Sequence, residues 1–328
     1  MVVFGDHTRA LKYIDFDFVL GADGVKVLKP KPFLYPRFFY FQLHTAKLDS
    51  LGYARHYRLL REHHVAYPAY AEQQRIVATL DLAFEGIATA KASAEKILQN
   101  VRELFQSHLE QVFLRHVDSS PSRPLEALTE SDSPITYGVV KPGDEGDVAF
   151  VRGGDIAQGR VLTEQLRTIN ATVSRQYRRT LLRGGELLIS LVGQPGQVAV
   201  APEELKGANI ARQVGLIRLN EQVDAEYVRY FLQSPVGQSA LGAKQSGSVQ
   251  QVINLGGLRE VMVPVPALAV QREAVQTLYA FSASVERLTG LVQSKLSALG
   301  ELKKSLLYQA FSGAFTNESV DKEVAEVA

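Results

Sequence analysis

The sequence predicts an α+β fold in which globular domains with twisted mixed sheets are separated by two long helices that form an antiparallel coiled coil. Two observations lead to this prediction. A segment of about fifty residues occurs twice at a constant offset of 198 residues, and both copies have the apolar spacing of a helix. The stretches outside these copies are rich in glycine, proline and short β-branched runs, which are typical of turns and strands.

The repeat begins with VAYPAYAEQQRIV at 65–77, which is echoed by VPVPALAVQREAV at 263–275. It continues without a gap as far as Phe113, which is opposite Phe311. A proline near the start of each copy favours the first turn of a helix. A gapless match of this length indicates one structural unit used twice.

Apolar side chains recur three, four or seven residues apart along both copies, as in a coiled-coil seam. A stripe this narrow needs a partner in water, and the other copy is the obvious one; two amphipathic helices on separate cores are the alternative. The residues expected at the seam and partner interface are Leu80, Phe84, Leu98, Val101, Leu104, Leu288, Val292, Leu296, Leu299 and Leu306.

The helices divide the chain into five segments. They are a partial domain at 1–66, a first spacer helix at 67–118, a complete domain at 119–265, a second spacer helix at 266–315 and a disordered acidic tail at 316–328. Strands are expected at 16–20, 25–28, 147–151, 186–192, 197–201 and 214–219, with a helical stretch around 37–51 and a helix pair or bent helix at 225–242.

The composition is that of an ordinary globular protein, with 46% hydrophobic and 22% charged residues among 328. The absence of cysteine excludes disulfides, thiolate zinc sites and a cysteine nucleophile, and it fits a reducing cytoplasm. No apolar stretch approaches 18 residues, and the N-terminus lacks the pattern of a signal peptide. We therefore expect a cytoplasmic protein.

Charge is unevenly distributed although the net charge is only +1. Residues 1–66 carry ten Lys/Arg against six Asp/Glu, and residues 152–183 carry seven Arg against two acids. A neutral domain can still present a basic face to phosphates, although a solvated surface is the alternative explanation.

No catalytic pattern is present: the sequence contains no P-loop, dinucleotide-binding glycine motif or His-Glu-x-x-His zinc motif. Asp15 and Asp17 could share one face of a strand as metal ligands, but solvated strand acids are the better interpretation. The glycines at 193–196 predict a hairpin turn. We expect no catalytic residue, no metal and no cofactor bound by this chain.

Three loops of the complete domain favour binding. The run at 244–254 is dense in amides and hydroxyls, and the segments 152–156 and 207–213 have a similar composition. Glutamine and asparagine can bond bidentately to adenine, and arginine or lysine to guanine. A polar loop without a ligand is the alternative for any one of them.

These motifs resemble the specificity subunit of type I restriction–modification systems. The residues that carry the resemblance are FVRGGDI at 150–156, LLRGGELLI at 181–189, GANIAR at 207–212, SGSVQQVIN at 246–254, PAYAEQQRIV at 68–77 and PVP at 264–266. The resemblance covers nearly the whole chain.

The resemblance implies a non-catalytic subunit of a host-defence complex. In that family two target-recognition domains each read half of a split DNA sequence, and two antiparallel helices dock two methyltransferase subunits. Those partners bind S-adenosylmethionine and methylate adenine, and separate restriction subunits translocate and cut. Only about 65 residues precede the first helix here, so the opening half of a first recognition domain is absent from the pattern.

Three functions follow from these observations. A DNA-reading subunit is the first, and a scaffold that holds methyltransferase subunits but reads DNA poorly is the alternative; an independent enzyme is the weakest. The residues expected to contact DNA are Tyr137, Lys141, Arg152, Arg160, Arg212, Gln213, Gln245, Ser248 and Gln250 in the complete domain, with His7, Arg9 and Lys12 in the partial one.

Overall fold

The computed structural model describes residues 1–19, 21, 24–246, 251–312 and 323–326. Its helices are α1 (Pro36–Leu43), α2 (Tyr57–Arg61), α3 (Tyr70–Ser119), α4 (Ala171–Gln176), α5 (Ala225–Gln233), α6 (Pro235–Gly242), α7 (Leu255–Arg259) and α8 (Leu268–Ser312). Its strands are β1 (Val2–Gly5), β2 (Leu11–Tyr13), β3 (Val25–Leu28), β4 (His64–Tyr67), β5 (Ser122–Pro124), β6 (Thr136–Tyr137), β7 (Val148–Val151), β8 (Ile156–Ala157), β9 (Arg160–Val161), β10 (Arg167–Ile169), β11 (Leu187–Ser190), β12 (Val198–Val200), β13 (Asn209–Ile210), β14 (Val214–Ile217), β15 (Gln245–Ser246), β16 (Val252–Ile253), β17 (Met262–Pro264) and β18 (Glu323–Glu326).

The chain forms two compact units. Unit 1 comprises residues 1–98 and 289–328, and unit 2 comprises residues 99–288. Each long helix therefore contributes one part of its length to each unit.

Unit 2 is built on an antiparallel sheet with strand order β12-β11-β14-β6. Because side chains alternate along a strand, β11 sends Leu187 and Ile189 to one face and Leu188 to the other. The first face packs with Tyr227 and Phe231 of α5, and the second packs with Ile210 and other residues of a smaller layer. That layer contains a second sheet of order β10-β7-β13.

Unit 1 contains a smaller sheet of the same topology, with strand order β2-β1-β3. Val2 pairs with Leu28 as Leu187 pairs with Ile217 in unit 2, so the two sheets share their register. Val2, Phe4 and Leu28 are buried against α1. Among the described residues, the outer edge of β3 has no counterpart of β6, and Val27 on the opposite face is 37% exposed.

The long helices pack against each other in antiparallel fashion within each unit. In unit 1 Leu80 near the start of α3 lies in one core with Leu307 and Ala310 near the end of α8. In unit 2 Leu109 near the end of α3 shares a core with Leu278 near the start of α8. The predicted α+β fold with two long helices is confirmed.

The seam departs from the expected set at two positions. Leu80, Val101 and Val292 are buried, and Phe84, Leu98, Leu296, Leu299 and Leu306 are half-buried. Leu104 and Leu288, however, are 59% and 40% exposed. On α3 the next seam residue after Val101 is Phe105, four residues on, so Leu104 lies beside the seam. On α8 the seam includes Val285 and Thr289, so Leu288 lies beside it.

Several expected elements differ in the structure. Residues 16–19 form no strand, because the sheet of unit 1 is completed by β2 instead. Helix α1 ends at Leu43, so the helix expected around 37–51 is shorter. Residues 225–242 form the pair α5 and α6, separated at Ser234 before a proline. Within the tail expected to be disordered, residues 323–326 form β18, which pairs with β4.

A buried glutamine joins a short helix to each long helix. Gln73 of α3 accepts a hydrogen bond from Tyr35 N, at the start of α1, and donates to the carbonyl oxygens of Phe33 and Pro68. Gln271 of α8 is its repeat equivalent and accepts from Asp224 N, at the start of α5. We call these the glutamine clasps of unit 1 and unit 2.

Candidate nucleic-acid interface

Five loops of unit 2 meet at one edge of its main sheet. The register pairs Ser190 with Val214 and Tyr137 with Gly215, so β11 and β6 end where β14 begins. The segments that leave this edge are 138–147, 191–197 and 211–213. The turn at 152–155 and the segment 251–254 join them, because Gly153 lies beside Ser190 and the Ile253 N–H donates to Leu191 O over 3.0 Å. We call these segments the loop edge of unit 2.

Arg152 is held in one orientation at this edge. Its backbone N–H and Nε both donate to Asp155 Oδ2, over 2.7 and 3.1 Å, and Nη2 donates to Asp155 Oδ1 over 2.8 Å. These bonds raise the pKa of the Arg152 guanidinium and keep it charged. Its side chain is still 40% exposed, so one face of the fork can contact a ligand.

Gly153 permits the close packing of the turn against the sheet. A Cβ at this position would lie 3.0 Å from Ser190 Oγ and 3.4 Å from Gln213 Cβ. Gln213 therefore lies beside the turn that follows Arg152, although 61 residues separate the two along the chain.

The other predicted residues at this edge are anchored through their backbones. The Arg212 N–H donates to Val139 O over 2.9 Å, and the Leu191 N–H donates to Gln213 O over 2.7 Å. The side chains of Tyr137, Lys141, Arg212 and Gln213 are exposed. The structure thus brings five predicted residues of unit 2 to one edge.

Of the other four predicted residues of this domain, one lies elsewhere and three have no described side chain. Arg160 is on β9, and its Nη2 lies 2.7 Å from Glu286 Oε1 of α8 in a well-exposed ion pair. Gln245 begins β15, for which only the backbone pairing is described. Ser248 and Gln250 lie outside the described residues.

Unit 1 presents an equivalent but shorter edge. Gly5 pairs with Val25 as Ser190 pairs with Val214, and the turn between β1 and β2 carries His7 and Arg9. His7 Nδ1 lies 3.1 Å from Tyr53 O, and Arg9 Nη1 donates to Leu48 O over 3.1 Å. Both side chains are exposed, and we call this turn the loop edge of unit 1.

Lys12 does not lie at this edge. It is an exposed residue of β2 that pairs with Val3, whereas its equivalent in unit 2, Ala199, is buried under the smaller layer.

The sequence interpretation missed a cluster at the other end of the unit 2 sheet. Arg178, Arg179 and Arg183 lie there beside the buried pair of Arg218 and Glu186. The sequence signal for them is the excess of arginine at 152–183.

The described residues contain no group of three His, Cys, Asp or Glu side chains that could hold a metal ion. Asp15 and Asp17 are exposed and stand outside any strand. Within the same residues no helix is long and apolar enough to cross a membrane.

Comparisons with known proteins agree with the resemblance seen in the motifs. No family model matches the chain. It is 27% identical over 287 residues to the specificity subunit of the type I restriction enzyme EcoBI of Escherichia coli, an alignment that covers 79% of this chain and 60% of that protein. It is 23% identical over 334 residues to the EcoKI specificity subunit of strain K12, covering 94% of this chain and 71% of that protein.

A solved structure shares the fold. It comes from work on the complex assembly and conformational transition of a type I restriction–modification system, and it superposes with a TM-score of 0.70 at 18% identity over 94% of this chain and 81% of that one. The chain is thus an α+β protein with two long helices that resembles type I specificity subunits, and the expectation from its motifs is confirmed. It spans 60% of the length of the EcoBI relative.

Proposed function

We propose that this chain is the DNA-reading specificity subunit of a type I restriction–modification complex and reads a split target. The observation that carries the proposal is the repetition of one sheet edge in two units. Both edges have the same register, and both expose basic side chains, with an amide added in unit 2. Side chains of these types read base edges in the major groove.

Docking of methyltransferase subunits is supported by exposed apolar residues at equivalent positions of the two repeat copies. Leu104 of α3 and Leu302 of α8 stand 198 residues apart and are 59% and 46% exposed. Two equivalent apolar positions suit two copies of one partner. In this proposal the partners bind S-adenosylmethionine and methylate adenine, restriction subunits join the complex, and this chain supplies no catalytic group.

One experiment tests the proposal directly. The chain is co-expressed with its methyltransferase partner in a host without adenine methylation, and N6-methyladenine is mapped across the genome by long-read sequencing. A split motif with two defined halves is expected. A palindromic motif would mean that two copies of unit 2 read the target together, which contradicts reading by unit 1.

A scaffold that holds methyltransferase subunits without full specificity is the second candidate. It is favoured by the sheet of unit 1, where β3 has no outer partner among the described residues and Val27 is exposed. A stable complex with the partner that leaves no methylation would support the scaffold and contradict the reading subunit.

A further inference from the structure

A cleft lies at the end of the unit 2 sheet opposite the loop edge, where β11 begins at Leu187 and β14 ends at Ile217. Its volume is about 220 Å³. The polar residues that line it include Arg178, Arg179, Arg183 and Arg218, with the hydroxyl groups of Ser133 and Thr136. We call it the arginine cleft.

Arg218 forms a fixed wall of the cleft. It is 8% exposed, and its Nε lies 3.3 Å from Oε1 of the buried Glu186. Its Nη1 donates to Ser133 Oγ over 3.2 Å, and its Nη2 donates to Leu181 O over 2.8 Å. Because its donors are satisfied internally, Arg218 shapes the cleft while Glu186 neutralises its charge.

The cations available to a ligand lie around this wall. Arg178 and Arg179 begin the 3₁₀ turn Arg178–Thr180, both are exposed, and neither guanidinium has a partner within the part of the chain that the structure describes. The side chain of Arg183 is 64% exposed, and its Nη1 lies 3.3 Å from Glu130 Oε2. Because this ion pair is exposed, solvent screens the attraction between its charges. Among the described residues, Asp132 is the acid that lines the cleft.

We propose that the arginine cleft binds a phosphate group. Guanidinium groups match phosphate oxygens with paired donors, and several of them around a small polar recess select an anion over a neutral ligand. The inference rests on the proposed function for the source of the group, which is a DNA backbone phosphodiester; a free phosphate is the other source. Phosphate contacts of this kind position a protein on the duplex without reading its sequence.

The first arm of the test uses inorganic phosphate and the full chain. Thermal unfolding is measured in phosphate and in chloride at equal ionic strength for the wild type, for R178Q/R179Q, and for R102Q/R272Q as the matched control. The control removes two exposed arginines of the long helices that do not line the cleft. Phosphate should raise the Tm of the wild type and the control more than that of R178Q/R179Q.

The second arm uses the complex with the methyltransferase partner and a target duplex. Binding is measured over a range of salt concentrations, after size-exclusion chromatography has shown that each variant assembles. R178Q/R179Q should make the slope of log K against log[salt] less steep by about 1, the amount for one lost phosphate contact, and leave the target preference unchanged.

The two arms separate the sources of phosphate. A Tm effect together with a smaller salt slope supports a DNA phosphate, and a Tm effect with an unchanged slope supports a free phosphate. Equal responses of R178Q/R179Q and the control in both arms overturn the proposal. If the wild-type complex fails to bind DNA, the proposed function fails, while the phosphate arm still decides the cleft.

Discussion

The glutamine clasps place single side chains where two structural elements must meet. Gln73 and Gln271 have no exposed surface, and each makes three hydrogen bonds to backbone groups. Each thereby satisfies the backbone N–H at the start of a short helix and two carbonyl oxygens that would otherwise be unpaired. The amide does at both places what an apolar residue of the same size cannot do.

Replacing either clasp residue should destabilise its own unit. In Gln73→Leu and Gln271→Leu the buried backbone groups lose their partners, which costs about 1–3 kcal/mol of unfolding free energy for each unsatisfied group. Denaturant unfolding followed by circular dichroism measures the loss. Gln74→Leu and Gln276→Leu are matched controls at exposed positions, and losses no larger than theirs would contradict the assigned role.

His116 is a residue whose protonation is disfavoured by the fold. Its Nδ1 lies 3.0 Å from the hydroxyl oxygen of the buried Tyr227, whose pKa is raised by burial. Burial lowers the pKa of His116, and the neighbouring Arg115 lowers it further. The native state therefore favours the neutral imidazole.

This shift predicts a loss of stability in mild acid. The unfolded chain has a histidine pKa of about 6.5, so below that pH it binds protons that the folded chain binds only at lower pH. The unfolding free energy should be highest above pH 6.5 and fall as the pH drops below it. His116→Gln should flatten this fall when Tm is measured against pH. An unchanged profile in His116→Gln would contradict the prediction.

At the scale of elements, the long helices show which residue follows Val101 in the seam. The buried and half-buried positions along α3 run through Ala94, Leu98, Val101, Phe105 and Leu109. Phe105 stacks on Phe281 of α8 with a centroid distance of 5.9 Å. Steps of three and four residues both fit a coiled coil, so the sequence could not choose between Leu104 and Phe105 after Val101.

The two adjacent positions should respond differently to truncation. Phe105→Ala removes a stacked, half-buried ring from the seam and should cost about 2 kcal/mol, less than the 3–5 kcal/mol typical of a fully buried aromatic. Leu104→Ala alters an exposed side chain and should change the unfolding free energy by less than about 0.5 kcal/mol. Chemical denaturation of both variants compares them, and equal losses would show that the seam includes Leu104.

The strands illustrate what local pattern can and cannot establish. The strand expected at 25–28 is present as β3, and β7 covers most of the strand expected at 147–151. Both have a partner, because β3 pairs with β1 and β7 lies between β10 and β13. Residues 16–19 alternate apolar and polar side chains equally well, yet no strand pairs with them and Phe16 is 64% exposed. A strand needs a partner as well as a pattern, and partners are set by the chain as a whole.

The candidate site was predicted in part for the same reason. Local composition indicates Arg152 and Gln213, but only the folded structure shows that Gln213 lies beside the turn at 152–155. Local composition also could not show that Arg160 forms an ion pair with Glu286 of α8.

At the scale of the whole molecule, the chain repeats its connections as well as its sequence. In unit 1 the strand before α3, β4, pairs with β18, which follows α8. In unit 2 the strand before α8, β17, pairs with β5, which follows α3. Each unit is therefore completed by the segment that follows the other long helix, and each carries one loop edge.

One loop edge in each unit predicts that the two halves of a split target are read separately. Arg212→Ala with Gln213→Ala should relax one half of the methylated motif and leave the other intact. His7→Ala with Arg9→Asn should affect the opposite half, where asparagine is chosen because Arg9 has a left-handed φ of 57°. Each lost base contact should reduce discrimination by about 1–3 kcal/mol, and long-read methylation maps of both variants measure it.

The outcome of this comparison bears on how the molecule divides its work. Changes in different halves would follow from two edges of common register that contact separate parts of the duplex. If only one half of the methylated motif changes, whichever variant is tested, unit 1 has the sheet but does not read DNA. Its β3 edge and exposed Val27 would then be the physical reason, because a sheet without an outer strand and a covering layer, as the described residues have it, holds its loops less firmly.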